Sequence, residues 1–194
     1  MKNTGMALLI MGLMGYIGVA NAFDNNREGF ILGLGVGMHS SNIEFNYDGS
    51  TILDYDRSGL ATSFKIGGGI SNQFAIYYAR YAAWYSAPFS DGITTKDITY
   101  TTGISGLGVT YYLTPEQQTG YIFGAYGIGD LAAPFEDGIA PDDGSAMMAG
   151  AGYEFSDHIQ IEGVILLPSI TSADDTLLTI DATSIQLVIN YLWY

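Results

Sequence analysis

Near the end of the chain, Ile185, Leu187, Ile189, Tyr191 and Trp193 alternate with Ser184, Gln186 and Asn190. Side chains on a strand point to opposite faces in turn, so this spacing predicts a strand with one bulky apolar side. The same alternation recurs upstream. Phe30, Leu32, Leu34, Val36 and Met38 interleave with Gly33, Gly35 and Gly37, and Phe64 and Ile66 with Ser63, Lys65, Gly67 and Gly69. Ile159, Ile161, Ile165 and Leu167 interleave with Gln160 and Glu162. In all, period-two or β-rich composition predicts eight strands: Gly29–His39, Gly59–Ile70, Phe74–Ser86, Ile98–Leu113, Tyr121–Leu131, Ser145–Phe155, Ile159–Pro168 and Ala182–Tyr194.

Each strand thus carries one large apolar face and one face of glycine, small polar or charged residues. A soluble lipocalin-like barrel turns its apolar side inward and needs a charged coat outside. The second face here is too poor in charge for that role. A barrel in hydrocarbon reverses the arrangement and closes, leaving no strand edge in lipid. The lumen of an eight-stranded barrel is just wide enough to fill with side chains, so inward glycines make room for the rest.

The connections alternate in length. Ser71-Asn72-Gln73, Thr114 to Gly120 and the turn at Asp157-His158 are short. Ser40–Ser58, Ala87–Asp97, Ala132–Gly144 and Ser169–Asp181 are long and hold most of the acid. Short turns at one end and long polar loops at the other are the mark of a transmembrane barrel. With the chain entering from the periplasmic side, the long loops lie outside the cell.

Residues 1–22 read as a cleavable signal peptide: Lys2, then an apolar core from Met6 to Val19, then Ala20-Asn21-Ala22. That core is shorter than a membrane-spanning helix needs. This gives two regions: a signal over 1–22 and one barrel domain over 23–194. The formal net charge of −14 argues against nucleic acid as a partner, since binding there relies on neutralising phosphates. With 48% hydrophobic and only 13% charged residues, the chain is not a disordered acidic one either. It has no cysteine, compatible with passage through an oxidising periplasm.

The opening Arg27-Glu28-Gly29-Phe30-Ile31-Leu32-Gly33-Leu34-Gly35-Val36-Gly37, the eight alternating strands and the aromatic last strand resemble the small outer-membrane barrels of the OmpA/OmpX type. The resemblance covers nearly all of the mature chain. It implies an all-β fold, an eight-stranded antiparallel up-and-down transmembrane β-barrel in the outer membrane of a Gram-negative bacterium. It implies outer-membrane lipid, lipopolysaccharide and the barrel assembly machinery as partners, a charged interior, no cofactor and no enzymatic activity. The surface ligand stays open.

Four sets of residues are candidates for chemistry. Lys65, Arg80, Glu154 and Glu162 fall on the glycine-rich face, and a two-residue turn at Asn72-Gln73 sets Lys65 opposite Arg80. Two facing cations need partners, so an interior ion network of these four is expected to plug the lumen. Aromatic belts are expected at Tyr111, Tyr121, Tyr153, Tyr191 and Trp193 near the short turns, and at Trp84, Tyr85 and Tyr100 near the long loops. Asp142-Asp143, Asp174-Asp175 and Asp54 with Asp56 are candidate ligands for a divalent cation. His39-Ser40-Ser41-Asn42 matches the H-x-S-N arrangement of outer-membrane lipid A deacylases, with Glu44 as the candidate orienting acid, but lies earlier in the barrel than in that family.

The expectation is a non-enzymatic outer-membrane barrel presenting acidic loops, with Tyr47 and Tyr55, for surface interaction or envelope integrity. A narrow, low-conductance pore, a lipid-modifying enzyme and the soluble lipocalin-like barrel are the alternatives.

Overall fold

The computed structural model describes residues 27–90, 95–136, 141–172 and 175–194. The expected signal peptide and Asp174 lie outside them. Eight strands form one closed sheet: β1 (Gly29–Tyr47), β2 (Ser50–Ser71), β3 (Phe74–Ser90), β4 (Thr95–Tyr112), β5 (Gly120–Ala132), β6 (Asp142–Ser156), β7 (Ile159–Thr171) and β8 (Leu178–Trp193). Every neighbour is antiparallel and consecutive in the chain, and β1 closes the barrel against β8. Among the described residues no helix is long and apolar enough to cross a membrane.

Side-chain parity follows the period-two pattern. Met38 is 66% exposed and Ile185 62%, whereas Lys65 and Glu162 on the opposite face are 2% and 0% exposed. Large apolar residues point out of the barrel on all eight strands, and polar groups are sealed inside. That is the reverse of a water-soluble barrel.

The register corrects one expectation. Ser71 faces Phe74, but a bulge before it slides the ladder by one, so Lys65 faces Ala79 and Arg80 faces Phe64. Directly paired residues share a face. Phe64 points outward, so Arg80 does too, and it leaves the lumen.

The strands also outrun their predicted ends. The segment expected as a loop over Ser40–Ser58 is a hairpin that pairs as far as Tyr47 and Ser50. Its turn is Asp48-Gly49, with φ of 46° and 76°. A two-residue turn with both φ angles positive matches the twist of the flanking strands, and Asp-Gly supplies it. β8 pairs with β1 up to Leu178 and Tyr47, so β8, β1 and β2 stand together as a tall wall. At roughly 3.3 Å per residue the wall rises well beyond the apolar band.

On its other side, β2 separates from β3. Their ladder ends at Leu60 and Trp84, while β3 continues with β4 alone to Ser90 and Thr95. The cause lies in three residues. Gly59 faces His39 across β1 and β2. With no side chain at Gly59, the His39 ring reaches over it, and Nε2 donates to the Trp84 carbonyl at 3.0 Å. A Cβ on Gly59 would lie 2.0 Å from that carbonyl oxygen. The last acceptor of the β3 edge is therefore taken by a side chain rather than by the next residue of β2.

Candidate functional site: the sealed lumen and its walls

Inward residues of the short-turn half build two carboxylate centres. Glu162, on β7, accepts from Lys65 Nζ and, at 2.9 Å, from the Tyr121 hydroxyl through Oε1; Oε2 takes the Tyr81 hydroxyl and Asn190 Nδ2, the latter at 2.8 Å. Four donors satisfy one buried carboxylate, as a buried charge requires. The Lys65 ammonium also lies over the rings of Phe123, Tyr77 and Tyr81, at 5.3, 5.5 and 5.9 Å.

Glu154, on β6, sits below. Its Oε1 accepts from Arg27 Nη2 at 2.7 Å, and its Oε2 accepts from Gln160 Nε2 and the Tyr194 hydroxyl, each at 3.0 Å. Arg27 donates further to the carbonyls of Asn72 at 2.9 Å and Glu116 at 2.8 Å. Its guanidinium lies 4.1 Å from the centre of the Tyr112 ring. One cation thus stitches two short turns to the lumen and stoppers that end.

The expected four-residue network is therefore divided. Lys65 and Glu162 meet. Glu154 pairs instead with Arg27, and Arg80 pairs with Asp130 on the outer surface, its Nη2 donating at 2.7 Å. Sequence reasoning missed both partners. The Arg27 signal was its place just before the first strand. The Asp130 signal was parity, since it falls on the same face of β5 as Ile122 and Ile128.

Higher in the barrel, Ile43, Tyr85, Ala87, Ile170, Ile180 and Ala182 form an apolar cluster, with Phe45, Tyr55, Tyr100 and Leu131 packed against it. Tyr85 and Tyr100 stack at 6.0 Å. Burial pushes the Tyr55 hydroxyl above its ordinary range, against the opposing pull of the Arg57 guanidinium. Greasy packing above and ion pairs below leave the described lumen filled.

This packing corrects the aromatic belts. Tyr85, Tyr100 and Tyr121 face inward, Tyr85 and Tyr121 being 5% and 2% exposed, because each is one residue out of phase with its strand's lipid face. Tyr111, Tyr153, Tyr191 and Trp193 point outward near the short turns, and Trp84 outward at the other end, stacked on Phe135 at 6.0 Å.

The histidine motif and the paired acids do not assemble into sites. His39 Nδ1 accepts from the Ser41 hydroxyl at 2.8 Å, but both are buried in the lumen and Glu44 sits on the opposite face of β1, so no acid orients the ring. Asp54 and Asp56 point outward, and each accepts from Asn42, at 2.7 and 3.3 Å. Asp142 and Asp143 are neighbours in β6 and diverge to opposite faces. Asp175 caps its own turn by accepting from the Leu177 amide at 3.0 Å. Among the described residues no three acids or histidines converge on a point where a metal ion fits.

The acids do gather on a surface. Glu44 faces Asp54 on β2 and Asp181 on β8, which puts three carboxylates in a row across the outside of the tall wall. Like charges so placed destabilise a sheet. The amides of Asn42 and of Asn46, the latter donating to Asp181 at 3.0 Å, offset part of that cost.

No family model and no curated protein matches the chain. Among solved structures, Neisserial surface protein A superposes with a TM-score of 0.50 at 8% identity, covering 81% of this chain and 96% of that one. The attachment invasion locus protein Ail of Yersinia pestis, in complex with the heparin analogue sucrose octasulfate, gives 0.49 at 14% identity, over 84% and 98%. OprG from Pseudomonas aeruginosa gives 0.49 at 11%, over 88% and 99%. Likeness at such identity extends to the fold and no further. The chain has the fold of the small eight-stranded outer-membrane β-barrels.

Proposed function

We propose that this chain is an integral outer-membrane protein whose barrel is an anchor rather than a conduit, and whose working surface is the tall acidic wall. The observation that carries this reading is the division of chemistry between the two faces. Every apolar residue that a soluble protein would hide is turned outward, and the lumen is closed by two buried ion pairs and an apolar cluster. A lumen so filled has no continuous water path, and a surface so greasy is stable only against acyl chains.

Partners follow from position. Outer-membrane lipid contacts the apolar band, and lipopolysaccharide surrounds the foot of the wall. The acids on that wall favour cationic partners and disfavour anionic ones. The buried His39–Ser41 pair supports a structural role, since nothing brings lipid to it and no carboxylate completes it. On this reading the protein is not an enzyme.

Membrane fractionation combined with gel mobility before and after boiling tests the class. The account expects sedimentation with outer membranes and a faster band before heating. Planar-bilayer recording tests the anchor reading against a narrow pore: no defined conductance steps are expected, and steady channel steps would overturn it.

A further inference from the structure

The reading of the wall as an interaction surface leaves its partner unspecified, and one strand edge on that wall is open to supply it. Resting on that reading, we propose that the free upper edge of β2, from Leu53 to Ser58, docks an extended cationic segment of a partner protein as an added β-strand.

Three observations support it. First, the edge is open by construction. The β2–β3 ladder stops at Leu60 and Trp84, where His39 captures the Trp84 carbonyl. Beyond that point β3 pairs only with β4 and carries Pro88, which has no N–H to offer. On its other side β2 is fully paired with β1, so its backbone is held straight with one edge unmatched. An extended peptide recognises such an edge through main-chain bonds, while its alternate side chains set specificity.

Second, the edge lacks the usual protections. Leu53 to Ser58 contains no proline and no lysine, and the bulge in the β1–β2 ladder lies farther up, between Phe45 and Asn46.

Third, the two faces of the edge state what fits. Asp54 and Asp56 point outward and lie next to Glu44, so a strand laid alongside meets carboxylates at every second residue. Leu53 and Tyr55 flank the other face, with Leu53 51% exposed. The complement is a strand with Lys or Arg at alternate positions and apolar or aromatic residues between them. A second copy of this chain is a poor occupant. Antiparallel pairing of two β2 edges about Tyr55 sets Asp54 against Asp56 of the other copy, and facing like charges are unfavourable.

The probe is an end-capped octapeptide alternating lysine and valine, added to the full chain in lipid nanodiscs. Binding is read by fluorescence anisotropy, and the contact by amide hydrogen exchange. The proposal expects saturable binding that slows exchange at residues 53–58. Binding should vanish when a central valine of the peptide becomes proline or when the lysines become glutamates. Asp54→Asn and Asp56→Asn should each weaken binding roughly two- to fivefold. Tyr55→Pro, which removes an edge N–H, should abolish it. Failure to bind, binding without slowed exchange at 53–58, or equal binding of the proline-containing peptide would each overturn the proposal. Gel mobility of the unliganded variants before boiling is read in parallel. Loss of the heat-dependent band there would count against the barrel reading itself, and its retention assigns any loss of binding to the edge alone.

Discussion

Glu162 is the residue on which the lumen depends most. Its carboxylate is fully buried and receives Lys65, Tyr81, Tyr121 and Asn190 together. Glu162→Gln leaves the Lys65 ammonium in a dry interior without a counter-charge, and breaking a buried pair from one side costs about 3–5 kcal/mol. Urea unfolding in lipid vesicles should show a loss of that size, and Lys65→Met added to Glu162→Gln should recover part of it. Asp130→Asn makes a useful contrast. It strands Arg80 on the lipid face, where the guanidinium can snorkel toward the headgroups, so a smaller loss of about 1–2 kcal/mol is expected in the same assay. If the two losses are equal, the assignment of inner and outer faces at Arg80 is wrong. Residue types and phase made Lys65 and Glu162 legible from the sequence. The partners were not legible, because pairing depends on register, and one bulge near Ile70 moved Arg80 to the other side of the sheet.

At the scale of elements, the eight strands were visible as alternation, but their upper ends were not. Beyond Met38 the outward face of β1 changes from apolar to Ser40, Asn42 and Glu44, and a strand that leaves the membrane no longer shows the contrast that marks it. The one local signal was Asp48-Gly49, a strong hairpin dipeptide inside a stretch that looked like a polar loop. The same reasoning covers the tyrosines. Clustering near strand ends placed Tyr85, Tyr100 and Tyr121 in the belts, whereas phase along each strand sends them into the lumen. The His39–Gly59–Trp84 arrangement decides where β2 and β3 part, and it makes a firm prediction. Gly59→Leu places a side chain where the Trp84 carbonyl and the His39 ring already sit, so the folded yield on refolding into detergent should fall several-fold. His39→Phe keeps the volume and removes the donor; it should fold, with faster amide exchange near Trp84. Unchanged exchange there would mean that the ring does not end the ladder.

As a whole molecule, the barrel is the consequence of one inversion repeated around a closed sheet. Closure of β1 on β8 removes edges within the hydrocarbon layer, where an unpaired backbone group is costly, and leaves the open edge of β2 only above it. The fold class was readable because alternation with a greasy face and a glycine-rich face admits few other solutions. The surface partner was not, since it depends on a break in one ladder that no spacing announces.

The inversion itself can be measured directly. The chain has no cysteine, so single cysteines introduced in turn at 185–189 can carry a spin label without background. In lipid vesicles, oxygen concentrates in the hydrocarbon and a polar nickel chelate in water. The account predicts a strict period-two profile along β8, with oxygen collisions highest at 185, 187 and 189 and low exposure to either reagent at 186 and 188. Oxygen maxima at 186 and 188, or strong nickel exposure at 185, 187 and 189, would contradict it.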